Sequence, residues 1–175
     1  MFKIFKDGQL PTRGTKYSAC VDLYAREDIV IGAGETKLIP LGVCIDLEKW
    51  LNRNIILSDE QVDIYMRSHY LQLMLRSSLS KALIIANGIG VIDMDYEGEI
   101  MIRVHNPVKT FQKVNLMLND NQGHNEVQFI QNTVVIEKGD SVAQITLLEH
   151  KSYLFGIDTE DERTGGFGST DKKDK

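Results

Sequence analysis

The chain has 175 residues and a formal charge of −5, from 20 Lys and Arg against 25 Asp and Glu. One domain is therefore expected, with a single core that buries about 70% of the unfolded surface. A composition of 42% hydrophobic and 26% charged residues excludes a disordered or membrane protein, and the acidic balance without a dense Lys/Arg stripe argues against nucleic-acid binding.

Short, often β-branched runs alternate with turn residues along the chain. Thr36 to Ile45, Ala82 to Ala86, Glu99 to Val104 and Val142 to Leu148 read as strands, and this regular spacing predicts an all-β sandwich or barrel. Between the first two, Ser58-Asp59-Glu60-Gln61 forms a capping box, and Val62, Tyr65, Met66 and His69 recur at helical spacing. They predict a short helix over 59–69, with one apolar stripe laid on the barrel. Ile100 to Val104 and Val134 to Ile136 are apolar enough to predict strands buried on both faces or lying at a subunit contact. The stretch Leu118 to Glu126, rich in Asn and Gly, predicts the tip of a long hairpin. From Arg163 onward the chain is Gly-rich and then charged, with Phe167 its only apolar side chain, and a mobile arm is expected.

Common phosphate loops, dinucleotide fingerprints and metal-site spacings are absent. His69, His105, His124 and His150 are scattered and read as solvated or hydrogen-bonded structural histidines. Cys20 and Cys44 have no CxxC spacing, and with no signal peptide they indicate a reducing cytoplasm.

Chemistry-bearing residues concentrate in five patches: Ala19-Cys20-Val21-Asp22-Leu23-Tyr24-Ala25; Arg76-Ser77-Ser78-Leu79-Ser80; Asn87 to Glu99, which contains Gly90-Val91-Ile92-Asp93-Met94-Asp95-Tyr96-Glu97-Gly98-Glu99; Gly139-Asp140-Ser141-Val142-Ala143-Gln144; and Arg163-Thr164-Gly165-Gly166-Phe167-Gly168-Ser169-Thr170. In this order they resemble the five motifs of the trimeric deoxyuridine triphosphatases (dUTPases). The resemblance implies a distorted jelly-roll β-barrel over 1–162, with insertions near 48–70 and 110–132, and a flexible arm, 163–175, that closes over the nucleotide. It implies a homotrimer whose active sites are shared between subunits. The implied reaction is magnesium-assisted hydrolysis of dUTP to dUMP and pyrophosphate in the cytoplasm, or in a host's cytoplasm for a viral member. That reaction would keep dUTP low and supply dUMP for dTTP synthesis.

The roles implied by the resemblance each have a chemical rationale. Asp93 would be the general base that activates water for in-line attack on the α-phosphorus, although Asp-x-Asp also builds turns between strands. Asn87 and the backbone of Gly90 and Ile92 would read the uracil edge, and Tyr96 would stack on the sugar and exclude a 2′-hydroxyl. Arg76, Ser77, Ser78 and Gln144 would bind phosphate oxygens. Ser78 stands where Gly is commoner, and Gly tolerates backbone angles that Ser does not. Asp22 would hold Mg²⁺ indirectly, through water, leaving the phosphates as the main ligands. In the arm, Phe167 would stack on uracil. Gly166 and Gly168 would let the backbone approach the phosphates, and Arg163, Ser169 and Thr170 would contact the γ-phosphate. The Arg163 to Phe167 spacing is one residue shorter than usual, and Asp171 replaces a common Gly.

Two rivals stand beside this reading. A dCTP deaminase, similar in fold, needs a Glu and an Arg where this chain has Arg103 and Lys81, and is disfavoured. A dUTPase-like regulator would bind a protein partner through the two insertions.

Overall fold

The computed structural model describes residues 2–46, 58–108, 112–116, 126–130 and 132–157. The arm from Arg163, including Gly166, Phe167, Gly168, Ser169 and Thr170, lies outside the described residues, as do the hairpin tip and His124. The fold is all-β with one short helix, and its strands follow the distorted jelly-roll pattern of two sheets closed on a shared core.

One sheet contains β2 (Val21–Tyr24), β6 (His69–Leu75), β8 (Gly90–Asp93) and β13 (Ser141–Glu149), in the order β2-β13-β6-β8. The other contains β4 (Thr36–Pro40), β7 (Ile84–Ile85) and β9 (Met101–His105), in the order β4-β9-β7. Two-stranded ribbons complete the barrel: β1 (Phe2–Ile4) with β5 (Val43–Ile45), and β3 (Ile29–Ile31) with β12 (Val134–Ile136). All these pairs are antiparallel. Alternation then decides what is buried. Leu23, Leu71, Leu73 and Ile145 from the first sheet meet Ile39, Ile102 and Val104 from the second in one cluster, closed by Ile31, Val43 and Ile136.

Within one chain the same alternation overturns one of the two alternatives expected for these strands, burial on both faces; the other, a subunit contact, concerns the assembly. On β9, Ile102 and Val104 are buried while Met101, Arg103 and His105 are half-buried. On β12, Ile136 is fully buried and Val135 is 59% exposed beside its cross-strand partner Val30. Each strand covers the core with one face only.

The helix α1 spans Asp59–Ser68. Its capping box is formed in both directions: the Gln61 N–H donates to Ser58 Oγ at 3.3 Å, and the Ser58 N–H to Gln61 Oε1 at 2.9 Å. It stops one residue earlier than expected because His69 takes extended angles and starts β6. The His69 ring nevertheless stacks on Tyr65, with centroids 3.9 Å apart, and α1 rests on β6 and on the 3-10 turn Ser152–Phe155. β10 (Gln112–Leu116) and β11 (Glu126–Ile130) pair antiparallel from Leu116↔Glu126 outward, as the expected long hairpin requires. The described histidines bond as structural groups, for example His105 Nδ1 with Thr36 Oγ1 at 2.9 Å and His150 Nδ1 with Ser152 Oγ at 2.8 Å.

Backbone approaches backbone closely where the N-terminal segment crosses the turn between β4 and β5. Phe5 donates its N–H to the Gly42 carbonyl at 2.9 Å, and Gly42 has φ +66. A Cβ on Gly42 would lie 2.4 Å from the Gly8 Cα. Gly42→Ala combines a left-handed conformation with a backbone clash, so it is expected to destabilise the protein by at least about 2 kcal/mol. Urea denaturation checks this, and a change under about 0.5 kcal/mol would contradict the crossing.

Candidate active site

Three of the five patches meet at the end of the four-stranded sheet. β13 carries a bulge between Ser141 and Ala143, where Val142 is the extra residue and both Val142 and Ala143 are buried. Beyond the bulge Gln144 falls directly opposite Asp22 on β2 and Met74 on β6. The chain leaving β6 stays attached through the Arg76 N–H, which donates to the Val142 carbonyl at 2.9 Å. The Arg76 carbonyl then accepts from the N–H of Leu79 at 3.0 Å and Ser80 at 3.2 Å. Ser80 Oγ also donates to the Ser77 carbonyl at 2.8 Å. Ser78 adopts right-handed helical angles, φ −61 and ψ −38, so Ser replaces Gly there without strain.

Asp22, Arg76, Ser77 and Gln144 thus line one cleft of 460 Å³, together with Gly14, Ser18, Ala19 and Cys20. Asp22 and Arg76 form an ion pair, and their side chains are 16% and 32% exposed. They are the only charged residues in the described lining. Sequence reasoning missed the roof, residues 12 to 18. Thr12 bridges Asp22 through paired backbone bonds of 3.2 and 2.7 Å, and the Thr12 hydroxyl bonds the Tyr24 hydroxyl. Ser18 Oγ accepts the Thr15 N–H at 2.9 Å, and the Ser18 carbonyl accepts Arg13 Nη1 at 2.6 Å. The available signal was a small, polar Arg-Gly-Thr turn just before the first patch.

The third patch lies elsewhere on the same chain. Gly90 pairs with Leu73, and a Cβ on it would lie 2.9 Å from the Leu73 Cβ, so Gly here admits close strand packing. Ile92 is half-buried against the core. Asn87 lies exposed in the turn from β7 to β8, beside Gly88 at φ +76. Asp93 is exposed and pairs with Tyr70, at the far end of β6 from Arg76. At about 3.3 Å per residue, Asp93 and Arg76 are separated by roughly 20 Å along the strand. One chain brings the phosphate candidates together but holds the candidate base away from them.

Tyr96 is rigidly seated. Its hydroxyl donates to the Glu99 carbonyl at 3.0 Å, its N–H to the Asp93 carbonyl at 3.1 Å, and a Cβ on Gly98 would lie 2.5 Å from its hydroxyl. Burial, and secondarily the Glu99 carboxylate, push its phenol pKa up, so the hydroxyl stays protonated as a donor. Glu99 in turn accepts the Gly42 N–H at 2.8 Å and pairs with Arg26 at 3.1 Å.

The oxygen donors around Asp22 suit a hard cation such as Mg²⁺. Among the described residues no group of three or more His, Cys, Asp and Glu could hold a metal ion directly, and Asp22 is the one carboxylate of the described lining.

Comparison with known proteins gives one answer throughout. The dUTPase family model matches residues 51–116. The deoxyuridine 5′-triphosphate nucleotidohydrolase of Lactococcus lactis subsp. lactis is 33% identical over 168 residues, covering 92% of this chain and 87% of its own. That of Rickettsia akari is 33% identical over 171 residues, covering 93% and 88%. The crystal structure of dUTPase from Streptococcus mutans shares the fold with a TM-score of 0.58 at 26% identity, over 90% of this chain and 98% of its own. The dUTPase from phage phi11 of S. aureus gives a TM-score of 0.61 at 20% identity, over 97% of each chain, a likeness of fold. By the ordered patches, the barrel and these relatives, the chain belongs to the dUTPase family of enzymes.

Proposed function

We propose that the protein hydrolyses dUTP to dUMP and pyrophosphate. The observation that carries this is the convergence of Asp22, Arg76, Ser77 and Gln144, from three distant patches, in one cleft. A guanidinium fork, a hydroxyl and an amide present donors suited to phosphate oxygens, and the relatives that cover most of the chain are named for action on this nucleotide.

In this reading Asp93 accepts a proton from water as the water attacks the α-phosphorus in line, and pyrophosphate leaves. Arg76, Ser77, Ser78 and Gln144 hold the phosphates and offset the charge that develops in the transition state. Asn87 and the backbone at Gly90 and Ile92 receive the uracil edge. The ring of Tyr96, fixed at both ends, leaves no room for a 2′-hydroxyl. Arg163, Gly166, Phe167, Gly168, Ser169 and Thr170 close over the bound nucleotide as an arm on the 1–162 barrel. Asp22 would hold Mg²⁺ indirectly, and the ion would supply charge neutralisation for the phosphates. A structural Mg(II) ion is described for a mutant of the phage phi11 enzyme.

The roughly 20 Å between Asp93 and Arg76 within one chain supports a homotrimer in which a neighbour's third patch completes each cleft. Light scattering is expected to find a trimer; a fully active monomer would refute the shared site. Asp93→Asn is expected to lower kcat by at least about 10²-fold with dUTP binding nearly intact, because the amide keeps the shape but cannot take the proton. Asp95→Asn should cost less, and equal impairment of the two variants would move the base elsewhere. Tyr96→Ala is expected to raise turnover of UTP relative to dUTP. Unchanged sugar selectivity would remove Tyr96 from that role.

A further inference from the structure

We infer that Glu99 is a positioning residue for sugar discrimination: its carboxylate, held by Arg26, fixes the peptide that braces the Tyr96 ring. The inference rests on reading Tyr96 as the group that excludes a 2′-hydroxyl, and adds to it what gives that exclusion its strength. Glu99 ends the third patch, and Arg26 lies outside all five.

Exclusion by contact alone depends on stiffness. A ring able to retreat by about 1 Å would make room for one more hydroxyl, so a steric filter is only as selective as the shell behind it. For Tyr96 that shell is specific. Its hydroxyl donates to the Glu99 carbonyl at 3.0 Å, and the Gly98 backbone lies against the same edge of the ring, where a Cβ would come within 2.5 Å of the hydroxyl. The ring can move back only if the peptide after Glu99 moves with it.

That peptide hangs from the turn between β4 and β5, residue by residue. The Leu41 N–H donates to the Ile100 carbonyl at 3.1 Å, and the Ile100 N–H to the Val43 carbonyl at 2.8 Å. Between them the Gly42 N–H donates to Glu99 Oε1 at 2.8 Å, and Arg26 Nη2 meets Glu99 Oε2 at 3.1 Å. The two carboxylate oxygens thus have separate partners on separate loops, and Arg26 is itself fixed by its N–H, which donates to the Pro40 carbonyl at 3.0 Å. The Arg26 and Glu99 side chains are 29% and 14% exposed, so loss of either leaves a partly desolvated charge behind the ring. Loss of Glu99 also leaves the Gly42 N–H without this acceptor, in a turn pinned against Gly8. Neither side chain lines the cleft of Asp22, Arg76 and Gln144. The effect expected is therefore on the choice of sugar rather than on the holding of phosphate.

The test takes the ratio of kcat/KM for dUTP to that for UTP, on the full-length protein with Mg²⁺. Glu99→Ala is expected to lower the ratio at least ~5-fold and Arg26→Met at least ~3-fold, mainly through faster turnover of UTP, with kcat/KM for dUTP within ~3-fold of the natural chain. Arg26→Lys, which keeps the charge, is expected to recover most of the loss. Beside Tyr96→Ala, Glu99→Ala is expected to lower the ratio no further, since both act on one ring. A folded Glu99→Ala with an unchanged ratio would overturn the inference, and so would a further fall in the Tyr96→Ala background. If Glu99→Ala does not fold, Glu99→Gln decides in its place. It keeps an acceptor for the Gly42 N–H but loses the charge that Arg26 meets, so a fall of at least ~2-fold is expected and an unchanged ratio overturns the inference. Ile31→Val, a core change that touches none of these bonds, is expected to leave the ratio alone. A matching fall there would trace the effect to general loosening and overturn the inference as well. Failure at Glu99 while Tyr96→Ala lowers the ratio leaves the reading of Tyr96 standing. An unchanged ratio in Tyr96→Ala refutes that reading and the inference with it, and a natural chain that does not turn over dUTP refutes the proposed function and both.

Discussion

Strand β13 is the constraint on which the rest depends. It pairs with β6 from Ala143↔Leu75 to Glu149↔His69 and with β2 from Ser141↔Tyr24 to Ile145↔Val21. Three distant stretches of chain are thereby fixed to one another by backbone hydrogen bonds, which depend little on side-chain identity. The bulge at Val142 then sets the register, and a one-residue slip would turn Gln144 into the core and a buried apolar residue into the cleft. Core packing and site assembly are two outcomes of the same pairing.

A second constraint is local to the third patch. Gly98 clears space for the Tyr96 ring, the Glu99 carbonyl holds its hydroxyl, and the Glu99 carboxylate binds the Gly42 N–H and Arg26. The crossing of Gly8 and Gly42 thus supports a side chain that the proposed chemistry uses to sense the sugar. Residues that resemble turn punctuation in the sequence act here as a rigid mount.

Much of this was legible in the sequence, for physical reasons that differ by element. The helix was announced by its own cap, a local hydrogen-bond pattern that needs only Ser58 and Gln61. Its end was not, because His69 stacks as a helical residue would while its backbone already belongs to β6. The density of apolar residues in β9 and β12 reports how much of a strand can be buried, whereas sheet order within one chain decides that only one face meets the core; the other alternative, a subunit contact, belongs to the assembly. Asp22, Arg76 and Gln144 could be singled out from their patches, but their meeting depends on a bulge that leaves no composition signal. The roof at Gly14 and Ser18 left only the trace of an Arg-Gly-Thr turn, because its bonds are local ones from backbone, Ser18 and Arg13 of a kind common to any loop.

The length of β6 has a genetic consequence. It places the residues proposed for phosphate binding at one end of the strand and the proposed base at the other. In an assembly that shares its sites, a chain damaged at Asp93 still offers a sound Arg76, and a chain damaged at Arg76 still offers a sound Asp93. Mixed assemblies of the two inactive alleles would contain some intact sites and complement one another, while a single damaged allele expressed beside the normal one would spoil only part of each such assembly.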